Sequence, residues 1–170
     1  MSSINTIQVK TLWRDDDVSV HTDAYLFKKL HEQFITKDTV HTASLIMKDL
    51  WENQAVFWYL ASAPLLEIGL HGWEHKDYSV LSYGDCYRDL RMSLDYWDIN
   101  ARRMLQVEEL DDSKKIKIFF APWNKESLSI REACRDLGLR FCNVKKGFWE
   151  EYDVRSFHWW SATMGEDFKL

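Results

Sequence analysis

The chain has 170 residues, of which 46 % are apolar and 29 % charged, with a net charge of −5. That length and balance suit one domain spanning residues 1–170 with a sizeable core. The acidic surplus argues against a nucleic-acid-binding face, and Lys114, Lys115 and Lys117 make only a short basic turn.

No apolar stretch approaches the roughly 18 residues that a membrane span needs, and Met1 to Lys10 has no apolar signal core. A cytoplasmic protein without membrane contact is expected. The cysteines Cys86, Cys134 and Cys142 are odd in number and fit neither a disulfide framework nor a CxxC metal site. Reduced, buried thiols are expected. Nine Trp, nine Phe and seven Tyr make an unusually aromatic chain. Most must pack a core, and a few are free to stack on sugar rings.

Residues 7–13 (IQVKTLW) read as a buried strand that ends in the acidic run Asp15-Asp16-Asp17. Residues 22–34 have helical spacing of Tyr25, Leu26, Leu30 and Phe34, with Thr22 or Asp23 as cap. Residues 39–47 form a second strand, and 48–61 a helix that Pro64 closes. Residues 65–70 (LLEIGL) form a third strand, with His71 directly after it. The longest helix is predicted over 83–107, with Tyr87, Leu90, Leu94, Trp97 and Leu105 near one face. Residues 115–120 form a fourth strand running into Ala121-Pro122-Trp123. A helix over 127–137 ends at Gly138, a natural C-terminal residue. Short strands over 139–144 and 154–160 follow, the last carrying His158. Strand and helix alternate throughout, which implies a parallel sheet or an α/β barrel. Such folds place their chemistry at the C-terminal ends of the strands.

Four constellations fall there. Adjacent carboxylates repel, and a divalent cation would offset that repulsion at Asp15-Asp16-Asp17; a solvated acidic turn is the plainer explanation of such a run alone. In His71-Gly72-Trp73-Glu74-His75 two histidines four apart share one face of a helical turn and can converge on a metal. Alone, they are as readily surface histidines. One carboxylate and two imidazoles leave coordination positions open, as catalytic sites require. Phe120-Ala121-Pro122-Trp123-Asn124 reads as a strand-ending turn. His158, among aromatics, is by itself more often a satisfied core histidine than a catalyst.

Taken in order, these elements resemble the polysaccharide deacetylases of the NodB homology domain, carbohydrate esterase family 4. That family has paired aspartates at a strand end (TFDDG, or variants such as RxDD), then HxxxH, then a motif of the type RxPY, then a late strand with a histidine. Here RDDDV stands at 14–18, HGWEH at 71–75, FAPWN at 120–124 and FHW at 157–159. The resemblance implies a reduced or distorted (β/α) barrel, because the chain is shorter than most members. It implies a hydrolase that removes N-acetyl groups from an amino-sugar polymer or oligosaccharide. The metal, zinc first and cobalt, nickel or manganese as substitutes, would be held by Asp17, His71 and His75. Asp16 would be the base that activates water, the backbone N–H of Trp123 an oxyanion donor, and His158 the general acid. Trp73, Pro122, Asn124 and Trp159 would line the substrate, with Trp160 a further candidate for the sugar-stacking rim. A shift of one in the acidic run would instead make Asp15 the base and Asp16 the ligand.

The sequence departs from the pattern in three places. Phe120 occupies the position of the third-motif arginine, which orients the base. No DxxDW-like motif is present, and Trp159 follows His158 where Asp is common. Three alternatives stay open: a glycan- or partner-binding module of the same fold, a hydrolase of small non-sugar amides, and a structural protein without metal.

Overall fold

In the computed structural model, residues 12–142 and 154–158 are described, the last five as backbone only. Six parallel strands alternate with four helices. The elements are β1 (Leu12–Val18), α1 (Ala24–Ile35), β2 (His41–Ile46), α2 (Gln54–Ser62), β3 (Leu66–Gly72), α3 (Tyr83–Leu105), β4 (Ile118–Phe120), α4 (Leu128–Asp136), β5 (Arg140–Cys142) and β6 (Val154–His158). The strand order is β5-β4-β3-β2-β1-β6. Each helix carries the chain to the next parallel neighbour, as parallel pairing requires. With β6 beside β1, this is the ring order of a β/α barrel, and among the described residues the ring is open between β5 and β6. The fold is therefore a reduced α/β barrel of the expected kind.

Side chains alternate across the sheet. Ala43, Leu45, Leu66, Ile68, Leu70 and Phe119 face the helices and join Phe27, Phe57, Leu60, Leu90 and Trp97 in one core. The other face is polar. Arg14 of β1 pairs in register with Thr42 of β2, and Thr42 with Glu67 of β3, whose carboxylate accepts the Thr42 hydroxyl at 2.8 Å. Helix starts are capped as their sequences direct: Asp23 accepts from the Tyr25 and Leu26 amides, and Ser127 from that of Ile130.

Three expectations need correction. The first strand does not stop before the acidic run; β1 contains it, and residues 7–11 lie outside the described residues. His71 belongs to β3 rather than following it, and residues 73–75 form a bend, so the two histidines are not on a helical turn. The helix predicted over 48–61 begins only at Gln54, where Asn53 caps it, after a 3-10 turn over Leu50–Glu52. Cys86 and Cys134 are buried free thiols, their pKa values pushed by burial up to about 11 and about 12, and Cys142 is half-buried. No helix among the described residues is long and apolar enough to cross a membrane.

Candidate metal centre

The site grows from an irregularity in β1. Asp15 pairs with Ala43 and Val18 with Leu45, so three steps along β1 match two along β2. One extra residue is a bulge, and Asp17 adopts a left-handed φ of 63° within it. Strict alternation would put Asp17 on the helix side with Asp15. The bulge instead turns it toward His71, on the polar face.

The second half comes from β3 and the bend after it. Gly72 has φ 111°, and a Cβ there would collide with the Tyr78 hydroxyl, so only glycine lets the chain turn so tightly. The turn returns His75 to the same side as His71. Asp89 of α3 secures this bend from behind. Its buried carboxylate accepts the Trp73 amide at 3.0 Å and the Tyr78 hydroxyl, and pairs with the Lys76 ammonium.

The result is a compact donor set. His71 Nε2 and His75 Nε2 each lie 3.3 Å from Asp17 Oδ1, and ligand atoms of all three residues lie within 4.8 Å of one another. His71 Nδ1 is 2.8 Å from the Phe120 carbonyl oxygen, which can only accept, so Nδ1 carries the proton. In the neutral ring, Nε2 then presents a lone pair toward a carboxylate oxygen. Burial lowers the His75 pKa, with the Asp17 charge opposing. Two imidazoles and a carboxylate with ligand atoms this close together fit a divalent cation, and the Phe120 carbonyl supplies the outer hydrogen bond that a ligating histidine commonly makes.

Asp16, on the same face of β1, is buried, and its Oδ2 accepts from Arg14 Nη2 at 2.6 Å. Asp15 is also buried but stands on the helix side, and Asp17 is the aspartate between the histidines. At the end of β4, Trp123 and Asn124 have φ near 54°. The amides of Asn124 and Lys125 bond the Ala121 and Pro122 carbonyls. The Trp123 indole is 58 % exposed and meets His75 edge-on at 4.3 Å.

The other sequence-derived site residues scatter. Pro122 is buried, and Asn124 is exposed on the Trp123 turn. Trp73 is half-buried and packs edge-on against Tyr96 at 5.2 Å, on the margin of the core. The His158 backbone pairs in register with Asp16. The His158 side chain, Trp159 and Trp160 lie outside the described residues. Two residues that sequence reasoning passed over are Arg14 and Asp89. Arg14 stood inside the quoted motif; Asp89 had no signal beyond being an acid in a helix.

No protein-family model and no curated protein matches the chain. Solved structures do. A family 4 carbohydrate esterase from Bacillus anthracis superposes with a TM-score of 0.63 at 12 % identity, over 90 % of this chain and 69 % of that one. The chain has the fold of carbohydrate esterase family 4. A family 4 pseudoenzyme from Bacillus anthracis superposes at 0.61 and 15 % identity, covering 80 % of this chain and 43 % of that one. A peptidoglycan N-acetylglucosamine deacetylase superposes at 0.57 and 12 % identity, covering 80 % and 57 %. The chain thus spans only about half the length of these last two neighbours.

Proposed function

We propose that this chain is a metal-dependent hydrolase that removes acetyl groups from the amino-sugar units of a polymer or oligosaccharide. The observation that carries the reading is the Asp17 carboxylate oxygen set 3.3 Å from two imidazole nitrogens, one of them fixed as a lone-pair donor by the Phe120 carbonyl. Asp17, His71 and His75 would hold a divalent ion, zinc in the first place. When bound, it supplies Lewis acidity to the acetyl carbonyl and to the attacking water, whose pKa falls toward about 7.

The chain's own groups do the rest. Asp16 accepts the proton of the attacking water, and the amide carbon gains its bond to oxygen. The Trp123 amide donates to the oxyanion that develops; such a donor is typically worth about 10²–10³ in rate. His158 gives a proton to the nitrogen as the C–N bond breaks. Acetate and a free amine leave. The exposed Trp123 indole above His75 offers a face on which a sugar ring stacks.

A second reading is favoured by two observations. The same fold includes a pseudoenzyme, and Phe120 departs from the family's third motif, so a glycan-binding module with little turnover is the rival. Elemental analysis and acetate release from chitin oligosaccharides or peptidoglycan decide. One metal per chain is expected, lost in Asp17→Ala and His71→Ala; full occupancy in both variants would sink the site. Asp16→Asn should keep the metal and lower acetate release by about 10²–10⁴. Sugar binding by the metal-loaded protein without acetate release would favour the rival.

A further inference from the structure

We propose that Arg14 is the positioning residue for Asp16, held in place by stacking on Phe120; this rests on the hydrolase reading above. The Arg14 guanidinium is buried and donates from Nη2 to Asp16 Oδ2 at 2.6 Å. Its carbon lies 4.5 Å from the centre of the Phe120 ring, the geometry of a cation–π contact. Arg14 Nε and Nη1 have no hydrogen-bond partner among the described residues. Among the described residues, the ring and the single carboxylate contact are therefore what fix the guanidinium.

The sequence supports this assembly at a third position. A Cβ on Gly69 of β3 would come within 2.6 Å of the Phe120 ring. Glycine at 69 makes room for an aromatic at 120, and the aromatic makes a seat for an arginine at 14. Three strands thus contribute to one contact. Its consequence falls on Asp16: Oδ2 is engaged by Arg14, while Oδ1 is buried without a hydrogen-bond partner among the described residues. One oxygen is anchored and the other is left to accept a proton.

Stability alone gives little reason for such a pair. Desolvating two charges offsets most of their attraction, and apolar replacements are often as stable. Orientation of a base is a better reason, because misplacement by about 1 Å can cost about 10² in rate.

The experiment measures kcat and KM for acetate release by the metal-loaded enzyme, with metal content determined on each variant. Arg14→Met, which keeps a long side chain on the Phe120 ring, is expected to lower kcat about 10²-fold with KM and metal content unchanged. Arg14→Met/Phe120→Arg, which returns a guanidinium from β4, is expected to recover at least tenfold of that loss. Should Arg14→Met fail to fold, Arg14→Lys replaces it. Lys keeps the charge but cannot lie flat on the ring, and about a tenfold loss of kcat is expected. Wild-type turnover with kcat unchanged in Arg14→Met overturns the role of Arg14 alone. So does a kcat loss that tracks metal loss, or one that Phe120→Arg leaves wholly unrecovered. No turnover by the metal-loaded wild type overturns the hydrolase reading, and the role of Arg14 with it.

Discussion

Alternation along β1 sends Arg14 and Asp16 to the polar face and Asp15 to the other, where its row partner is Ala43 of the helix-facing core. Asp15 is 1 % exposed, and neither carboxylate oxygen has a hydrogen-bond partner among the described residues. Burial first, then the charges of Asp16 and Asp17, push its pKa up to about 8. In the unfolded chain the group titrates near its ordinary value of about 4. Between those two values the native state binds the extra proton, so stability falls as pH rises from about 4 to about 8. Each unit of difference is about 1.4 kcal/mol. Asp15→Asn in the metal-free protein should therefore unfold at higher urea concentration than wild type at pH 8, by roughly 2 kcal/mol or more, and show a flatter decline across that window. An identical pH slope in the two proteins would show Asp15 ionised in the fold.

Elements position the site as much as residues do, and α3 is the clearest case. Its Asp89 is buried and bonds the Trp73 amide and the Tyr78 hydroxyl on either side of His75. Asp89→Ala would leave both donors buried without a partner, at about 1–3 kcal/mol each. It would also free the bend that carries His75. Zinc affinity measured by chelator competition should fall about 10–100-fold, as for other outer contacts of metal ligands. Lys48→Ala, which removes an exposed ion pair to Glu74 on the same bend, should change stability by less than about 1 kcal/mol. Equal zinc affinity in wild type and Asp89→Ala would show that the bend holds itself.

At this scale the sequence was informative about periodic elements and poor at their junctions. The strand–helix alternation and the long α3 follow from apolar spacing that the core then buries. The ends of β1 and β3 do not, because buried Arg14, Asp16 and His71 read as polar and so as loop. They are buried by each other: Arg14 by Asp16 and Phe120, His71 by the Phe120 carbonyl. Nor does apolar spacing predict a bulge, so the direction of Asp17 had to come from the backbone.

The whole molecule separates its two polar investments by end of the sheet. The candidate metal centre lies at the C-terminal ends of β1 and β3. At the opposite end, His41 opens β2 and stacks on Phe34 at 4.4 Å and on His31 of α1. Both histidines are fully buried. His31 Nε2 is 2.8 Å from the Pro64 carbonyl and must donate to it, so its Nδ1 accepts from His41 Nδ1 at 3.2 Å. Both rings are then neutral, and protonating His31 at Nδ1 sets two N–H groups face to face, while protonating His41 adds a second buried N–H at its Nε2. Burial first, then His31, lowers the His41 pKa to about 3, and burial lowers that of His31 against the pull of Pro64.

Folded pKa values below the ordinary 6.5 mean that the unfolded chain takes protons the native one refuses. The contribution of the pair is thus present above about pH 6.5 and lost as pH falls toward 3. Asp15 works in the opposite sense, up to about pH 8. On the acid side the two histidines oppose the one aspartate, and of these three groups only the aspartate acts above pH 6.5. The unfolding free energy of the metal-free protein should peak near pH 6.5. His31→Leu/His41→Phe replaces the pair with apolar groups and should move that peak to lower pH by removing the acid-side slope. Its acetate release at pH 7.5, metal-loaded, should equal that of wild type, because none of the proposed catalytic or metal-binding groups touches the pair. A peak that stays in place would mean that the pair folds already protonated, and a changed kcat would mean that the two ends of the sheet are mechanically coupled.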